Sequence, residues 1–233
     1  MKKSFLILIP LLIIFVTYGL WEISRSWSFQ FFSPIIRQTN TNNKVVALTI
    51  DDGPNDQNIN KILSLLDSLN LPATFFVTGK ELEKNIKNGK RIVQAGHELG
   101  NHTYSHKRMV LKSYHFIKTE LERTDSLIKA SGFKGEIYFR PPGFKKLLML
   151  PYYLKKNKRQ TIGWNVAPDS QKEWRDEEKI YQNAIENIEP GSIILMHLCY
   201  PSREASLRAL PRLVKTLRER GYQFIKLSEM LAL

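Results

Sequence analysis

The chain has 233 residues, 42% of them hydrophobic, enough for one sizeable core once an N-terminal segment is set aside. Its formal net charge of +13 points to anionic partners, either lipid headgroups or acidic wall polymers. No nucleic-acid recognition module is visible, so a nucleic-acid partner is not expected, and the single cysteine, Cys199, excludes an internal disulfide.

Lys2 and Lys3 precede an apolar run, Phe5 to Trp21, that is long for a signal core and slightly short for a spanning helix. Pro10 lies inside it, which a lipid-embedded helix tolerates. The nearest small-x-small cleavage pattern, Ser24-Arg25-Ser26, holds an arginine at its centre. Residues 1–21 are therefore expected to be an uncleaved signal anchor, a single pass in the cell membrane, with cleavage and secretion as the alternative. Residues 22–43 read as a linker rich in Ser, Thr, Asn and Gln, and 44–233 as the domain it carries outside the cytoplasm.

Beyond the linker, beta runs are expected near 45–50, 73–77, 97–101, 137–140, 161–166, 192–197 and 223–226. Helices are expected at Lys61–Leu69, Lys80–Ala95, Ser113–Ser131, Glu177–Ile188 and Ala205–Arg220. In the last helix Leu207, Leu210, Val214 and Leu217 share one stripe while Arg208, Arg212 and Lys215 share another. Strand–helix alternation argues an α/β fold with a parallel sheet, and about seven units favour a barrel. Lys145, Lys146, Lys155, Lys156, Lys158 and Arg159 form a run without an acidic residue, read as a solvated face. Tyr152-Tyr153 interrupts it, with packing or stacking on sugar rings as the open readings.

Two motifs carry chemistry. Thr49-Ile50-Asp51-Asp52-Gly53-Pro54 ends a beta run with two adjacent carboxylates, which alternation sends to opposite faces. One can bind a cation while the other faces the water that the cation polarises. The second motif, His102-Thr103-Tyr104-Ser105-His106, spaces two imidazoles as on one face of a helical turn. Asp52, His102 and His106 would give a divalent ion three protein ligands and an open position, the pattern of catalytic rather than structural sites. Zinc is the default on ligand type.

With both motifs read, the chain resembles the polysaccharide deacetylase family, the NodB-homology domain of carbohydrate esterase family four, from about Lys44 to the C-terminus. The resemblance implies an irregular (β/α) barrel of about seven strands, preceded here by the anchor helix. It implies Asp51 as general base and Asp52, His102 and His106 as metal ligands. In Arg140-Pro141-Pro142-Gly143 the arginine would orient Asp51 and the Gly143 N–H would donate to the oxyanion. In Leu195-Met196-His197 the histidine would be the general acid and Leu195 would line the acetate pocket. Trp164 would wall the site, and Cys199, two residues past His197, would be a wall residue rather than a nucleophile.

The segment Trp164-Asn165-Val166-Ala167-Pro168-Asp169-Ser170-Gln171 departs from the family pattern. Ala167 stands where an Asp that holds and tunes the catalytic histidine is expected, with Asp169 two residues along as a substitute. The resemblance implies hydrolysis of N-acetyl groups on a cell-envelope or chitin-like glycan. An O-acetyl esterase or amidohydrolase with the same centre, and a glycan-binding protein with a decayed site, are the alternatives. Protein partners are not legible.

Overall fold

The computed structural model describes residues 2–170 and 175–233, the side chains of 2–8 excepted. Gln171, last of the segment read from Trp164, lies outside them. The strands among the described residues are β1 Ile35–Ile36, β2 Val45–Asp51, β3 Thr74–Val77, β4 Glu98–Asn101, β5 Thr161–Ile162, β6 Ser192–Met196 and β7 Gln223–Phe224. The helices are α1 Lys2–Arg25, α2 Ile59–Ser68, α3 Gly79–Lys84, α4 Ile86–Gln94, α5 Tyr114–Ala130, α6 Met149–Lys156, α7 Glu177–Asn187, α8 Glu204–Glu219 and α9 Leu227–Leu231.

The expected parallel α/β sheet is present. Its order is β4-β3-β2-β6, with β7 joining β2 beside Val45 and Val46, and every pairing is parallel. β2 is buried along its whole length, as a central parallel strand must be when both faces are covered. Alternation along it makes two cores. Val46, Leu48 and Ile50 pack outward against α2, α7 and α8, while Val45 and Ala47 pack inward with Phe76, Ile193, Leu195 and Trp164. Each Val, Leu or Ile side chain among these, fully removed from water, contributes roughly 1.5–3 kcal/mol.

The expected seven-strand ring is drawn more loosely than its sequence pattern. The runs near 137–140 and 161–166 ladder only as β5, which pairs with β1. Single bridges carry the chain round instead: Asn101 to Phe139, Phe139 to Thr161, and Val166 to Ile194. Arg140-Pro141-Pro142 ends any strand there, because proline has no N–H to give a ladder.

The helix expected over Lys80–Ala95 is two helices, broken at Asn85, whose φ of −146° is not helical. α8 buries the expected stripe, and its Arg208 and Arg212 reach Glu177 and Glu178 on α7. The basic run contains an unexpected helix, α6, and one of its lysines is not solvated. Lys146 is fully buried, its Nζ donating to the Ser26 carbonyl at 2.6 Å and lying 4.3 Å from the Phe144 ring centre. Tyr153 is core and Tyr152 is exposed.

The anchor expected over residues 1–21 falls on α1, where Ile9, Leu11–Val16 and Trp21 are exposed. Among the described residues, no helix is long and apolar enough to cross a membrane. Met1 and the side chains of 2–8, part of that expectation, lie outside them. Residues 22–43, expected as a linker, are packed on the sheet. Ser24 and Gln30 are buried, Gln30 Nε2 donates to Thr161 Oγ1 at 2.9 Å, and β1 lies beside β5. Gln30, one of the polar residues that suggested a tether, has a buried partner instead, while Asn40, Asn42 and Asn43 are exposed.

Candidate active site

β2 delivers Asp51 and then stops. Thr49 and Asp51 share the inward face, and the fully buried Arg140 reaches both: Nη1 donates to Thr49 Oγ1 at 2.9 Å and to Asp51 Oδ1 at 2.5 Å. Its other nitrogens donate to the carbonyls of Ile162 (3.2 Å) and Gly163 (2.9 Å). A guanidinium has five donors in a rigid plane; here it ties the base candidate to the chain leaving β5. Burial lowers the affinity of Arg140 for its proton, and the Asp51 charge opposes that shift.

Asp52 lies past the strand end with φ of 71°, so its carboxylate turns away from Arg140 toward the histidines. The His102–His106 segment is not helical, contrary to expectation. Thr103 and His106 both take left-handed backbone, with φ of 67° and 56°, and this turn brings the rings to 4.9 Å between centres. His106 Nε2 lies 3.2 Å from Asp52 Oδ1 and His102 Nε2 3.8 Å from it. The three candidate ligand atoms all fall within 4.8 Å of one another.

The donor set fits a divalent cation. His102 Nδ1 is 2.7 Å from the Arg140 carbonyl. A carbonyl only accepts, so Nδ1 carries the proton and Nε2 presents its lone pair, the arrangement that orients metal-bound histidines. Burial lowers the proton affinity of His102 despite the nearby Asp51 and Asp52 charges. The hydrogen bond to Asp52 raises that of His106, against burial. Burial pushes the Asp52 carboxyl up, but the His106 hydrogen bond and the charges of His102, His106 and His197 outweigh it and hold it well below the carboxylate range.

His197, just past β6, is held by Asp169. Its Nδ1 is 3.0 Å from Asp169 Oδ1, and its backbone N donates to Oδ2 at 2.7 Å. Ser206 Oγ donates to the same Oδ2 at 2.8 Å, and Arg203 Nη1 donates to the Asp169 carbonyl at 3.1 Å. Burial lowers the His197 proton affinity, but the hydrogen bond and charge of Asp169, then the charges of Asp51 and Asp52, leave it raised. The gap at Ala167 is thus closed by Asp169, fully buried two residues along. Ala167 itself packs on the inner core.

Asp51, Asp52, His102, His106, Gly143, Trp164, Leu195 and His197 line one cavity of about 330 Å³. Arg140 lies beneath its floor, touching Asp51. Cys199 is buried; its thiol donates to the Asp52 carbonyl at 3.2 Å and burial raises its pKa, which suits a wall and not a nucleophile. Sequence reasoning missed Trp27, Phe144, Ser170 and Arg203 on this cavity. Phe144 and Ser170 neighbour motif residues and were within reach of that signal. Trp27 sits in the segment read as a tether, and no local pattern marks it.

The family model described as Polysaccharide deacetylase matches residues 38–161, more than half of the chain. A peptidoglycan-N-acetylglucosamine deacetylase of Bacillus cereus is 29% identical over 192 residues, covering 82% of this chain and 89% of its own. The peptidoglycan-N-acetylmuramic acid deacetylase PdaA of Bacillus subtilis is 30% identical over 198 residues, covering 82% and 73%. The crystal structure of BA3943, a CE4 family pseudoenzyme from Bacillus anthracis, superposes with a TM-score of 0.75 at 29% identity, covering 84% of this chain and 68% of that one. Sequence match, parallel sheet and the clustered carboxylates and imidazoles agree: the chain belongs to the polysaccharide deacetylase family.

Proposed function

We propose that the protein hydrolyses N-acetyl groups on a cell-envelope glycan, with a divalent cation, zinc by default, held by Asp52, His102 and His106. The observation that carries this reading is the cavity in which that triad, the Arg140-bound Asp51 and the Asp169-bound His197 meet. The deacetylase relatives support the substrate class, which spans N-acetylglucosamine and N-acetylmuramic acid in their names.

A divalent cation in such a site supplies Lewis acidity, polarising an acyl oxygen and lowering the pKa of water. The chain's own residues do the rest. Asp51, fixed by Arg140, accepts the proton of the attacking water. The Gly143 N–H donates to the oxyanion, a kind of contact typically contributing about 3–4 kcal/mol. Leu195, buried on the cavity wall, receives the acetyl methyl group, and Trp164 flanks it. His197 donates Nδ1–H to Asp169, whose charge favours the imidazolium, and in that form Nε2 carries the proton that the departing sugar nitrogen takes. The C–N bond breaks, and acetate and a free amine leave.

The decayed-site alternative drew on Ala167; the His197–Asp169 contact supports the active reading. For location, we place the domain outside the cytoplasm, carried by α1, whose stretch from Phe5 to Trp21 has no charged residue. Acetate release from N-acetylglucosamine oligomers and peptidoglycan by the full chain tests the activity. Release that stops with chelator and returns with zinc supports it; bound metal with no release from any glycan refutes it.

A further inference from the structure

Trp27, just beyond the end of α1, lines the cavity. It is 51% exposed, yet its ring meets Trp164 edge to face at 5.1 Å and lies 6.4 Å from Phe144. Its backbone is pinned from below. The buried Lys146 donates through Nζ to the carbonyl of neighbouring Ser26, and its N–H donates to the Ser24 carbonyl at 3.0 Å. Ser26 Oγ accepts from Phe29 N at 3.0 Å, which closes the turn around Trp27. An exposed indole on so fixed a backbone is a preorganised surface, and little is lost in ordering it on binding.

Behind Trp27 opens a second cavity of about 410 Å³, which shares Trp27, Trp164 and Ser170 with the first. Its volume falls within the roughly 300–1,000 Å³ of small-ligand sites. Its remaining wall sets Arg37, Asn183 and Asn187 beside Val166, Ala167 and Pro168, with Asn165 bound to Ser192 and Ile193. Arg37 donates Nε–H to the Trp164 carbonyl at 3.3 Å, and no carboxylate pairs with it among the described residues. Trp164 is only 8% exposed, and its Nε1 is buried without an acceptor among the described residues. An aromatic face beside amides and a guanidinium is the chemistry that takes a pyranose ring, apolar on its faces and hydroxylated at its edge.

The geometry points to a second saccharide subsite, built by Trp27 and the Arg37–Asn183 cavity, that holds the sugar next to the one being deacetylated. It rests on the deacetylase reading for the first subsite and adds chain-length selectivity to it. Trp27 is then a specificity residue supplied by the segment that follows α1, outside the region matched by the family model.

The test uses the full, zinc-loaded chain and its Trp27→Ala and Trp27→Phe variants, with acetate release from N-acetylglucosamine and its trimer. The wild type is expected to prefer the trimer, and Trp27→Ala to lose roughly tenfold more kcat/KM on the trimer than on the monomer, chiefly in KM. Trp27→Phe keeps most of the trimer preference. Equal loss on both substrates shows a merely structural role and overturns the proposal, as does an unaltered trimer rate. If no glycan releases acetate, the deacetylase reading fails separately. Calorimetric titration with the trimer then decides the subsite: binding weakened by Trp27→Ala upholds it, and no binding, or binding the variant leaves unchanged, overturns it.

Discussion

Asp169→Asn isolates the acid. All three groups around the Asp169 carboxylate act as donors: the His197 N–H and Ser206 Oγ–H at Oδ2, and His197 Nδ1–H at Oδ1. A carboxylate accepts all three, but an amide has one accepting oxygen. Two donors claim the Oδ2 position, so the new NH2 faces His197 Nδ1 and forces it to accept. The ring is then held neutral with its proton on Nε2, a far weaker acid than imidazolium. General-acid assistance contributes typically 10²–10⁴-fold, so kcat/KM should fall by that factor, roughly 3–5 kcal/mol in barrier. The Asp169 bond and charge raise the His197 pKa against burial. Activity needing protonated His197 declines as pH rises through that pKa, and removing the charge moves this decline to lower pH. Metal content should not change, because Asp169 touches none of Asp52, His102 and His106. The assay is acetate release across pH with metal analysis on the same samples. A rate within threefold of wild type, with its alkaline limb unmoved, would mean that another group protonates the amine.

Ala167→Asp is expected to leave that alkaline limb in place, because Asp169 already occupies His197 Nδ1; a displaced limb in the same assay counts against the pairing. Arg140→Leu leaves Asp51 as a buried charge without its counterion and should destabilise by about 3–5 kcal/mol, or roughly 6–20 °C in Tm by calorimetry at this size. Zinc must displace the His106 proton, whose affinity the Asp52 hydrogen bond raises, so zinc affinity should keep climbing above the ordinary imidazole pKa of 6.5, with proton release seen by titration in two buffers. Burial, with a smaller push from Lys145, lowers Lys146 from 10.5 to about 8. Between those values the unfolded chain binds more protons than the folded one, so stability rises with pH there. Lys146→Met should flatten that rise in urea melts at pH 8 and pH 10.

The strands that were legible are those whose own residues settle the matter. β2, β3 and β6 are short buried runs whose burial on both faces leaves a mostly apolar signature, whereas β4, Glu98-Leu99-Gly100-Asn101, is buried with polar residues at both ends. β1 is two residues long and forms because β5 offers it an edge, a reason lying 126 positions away in register. Within residues 22–43 the same dependence on distant partners appears. Gln30 looks like a solvated residue until Thr161 is seen beside it, and Lys146 looks like surface until Ser26 closes over it. Long polar side chains are ambiguous because an apolar stem can be buried whenever one partner satisfies the head.

The clustered site residues were legible for the opposite reason: the proposed chemistry needs particular atoms, so their residue types show in the sequence even where the backbone that aims them is not predictable. A spacing of four suggested a helical face for His102 and His106, yet left-handed Thr103 and His106 bring the rings together in a turn. Spacing constrains what two side chains can reach, and more than one backbone path meets that constraint. The same logic explains Ala167. What His197 requires is a carboxylate oxygen at Nδ1, with no requirement on where along the chain it originates. Asp169 reaches it because Ser206 and the His197 N–H hold the second oxygen, fixing the carboxylate's orientation from α8 and from the histidine's own backbone. A motif position can therefore be lost while the oxygen at Nδ1 remains, and it is that atom on which the proposed acid depends.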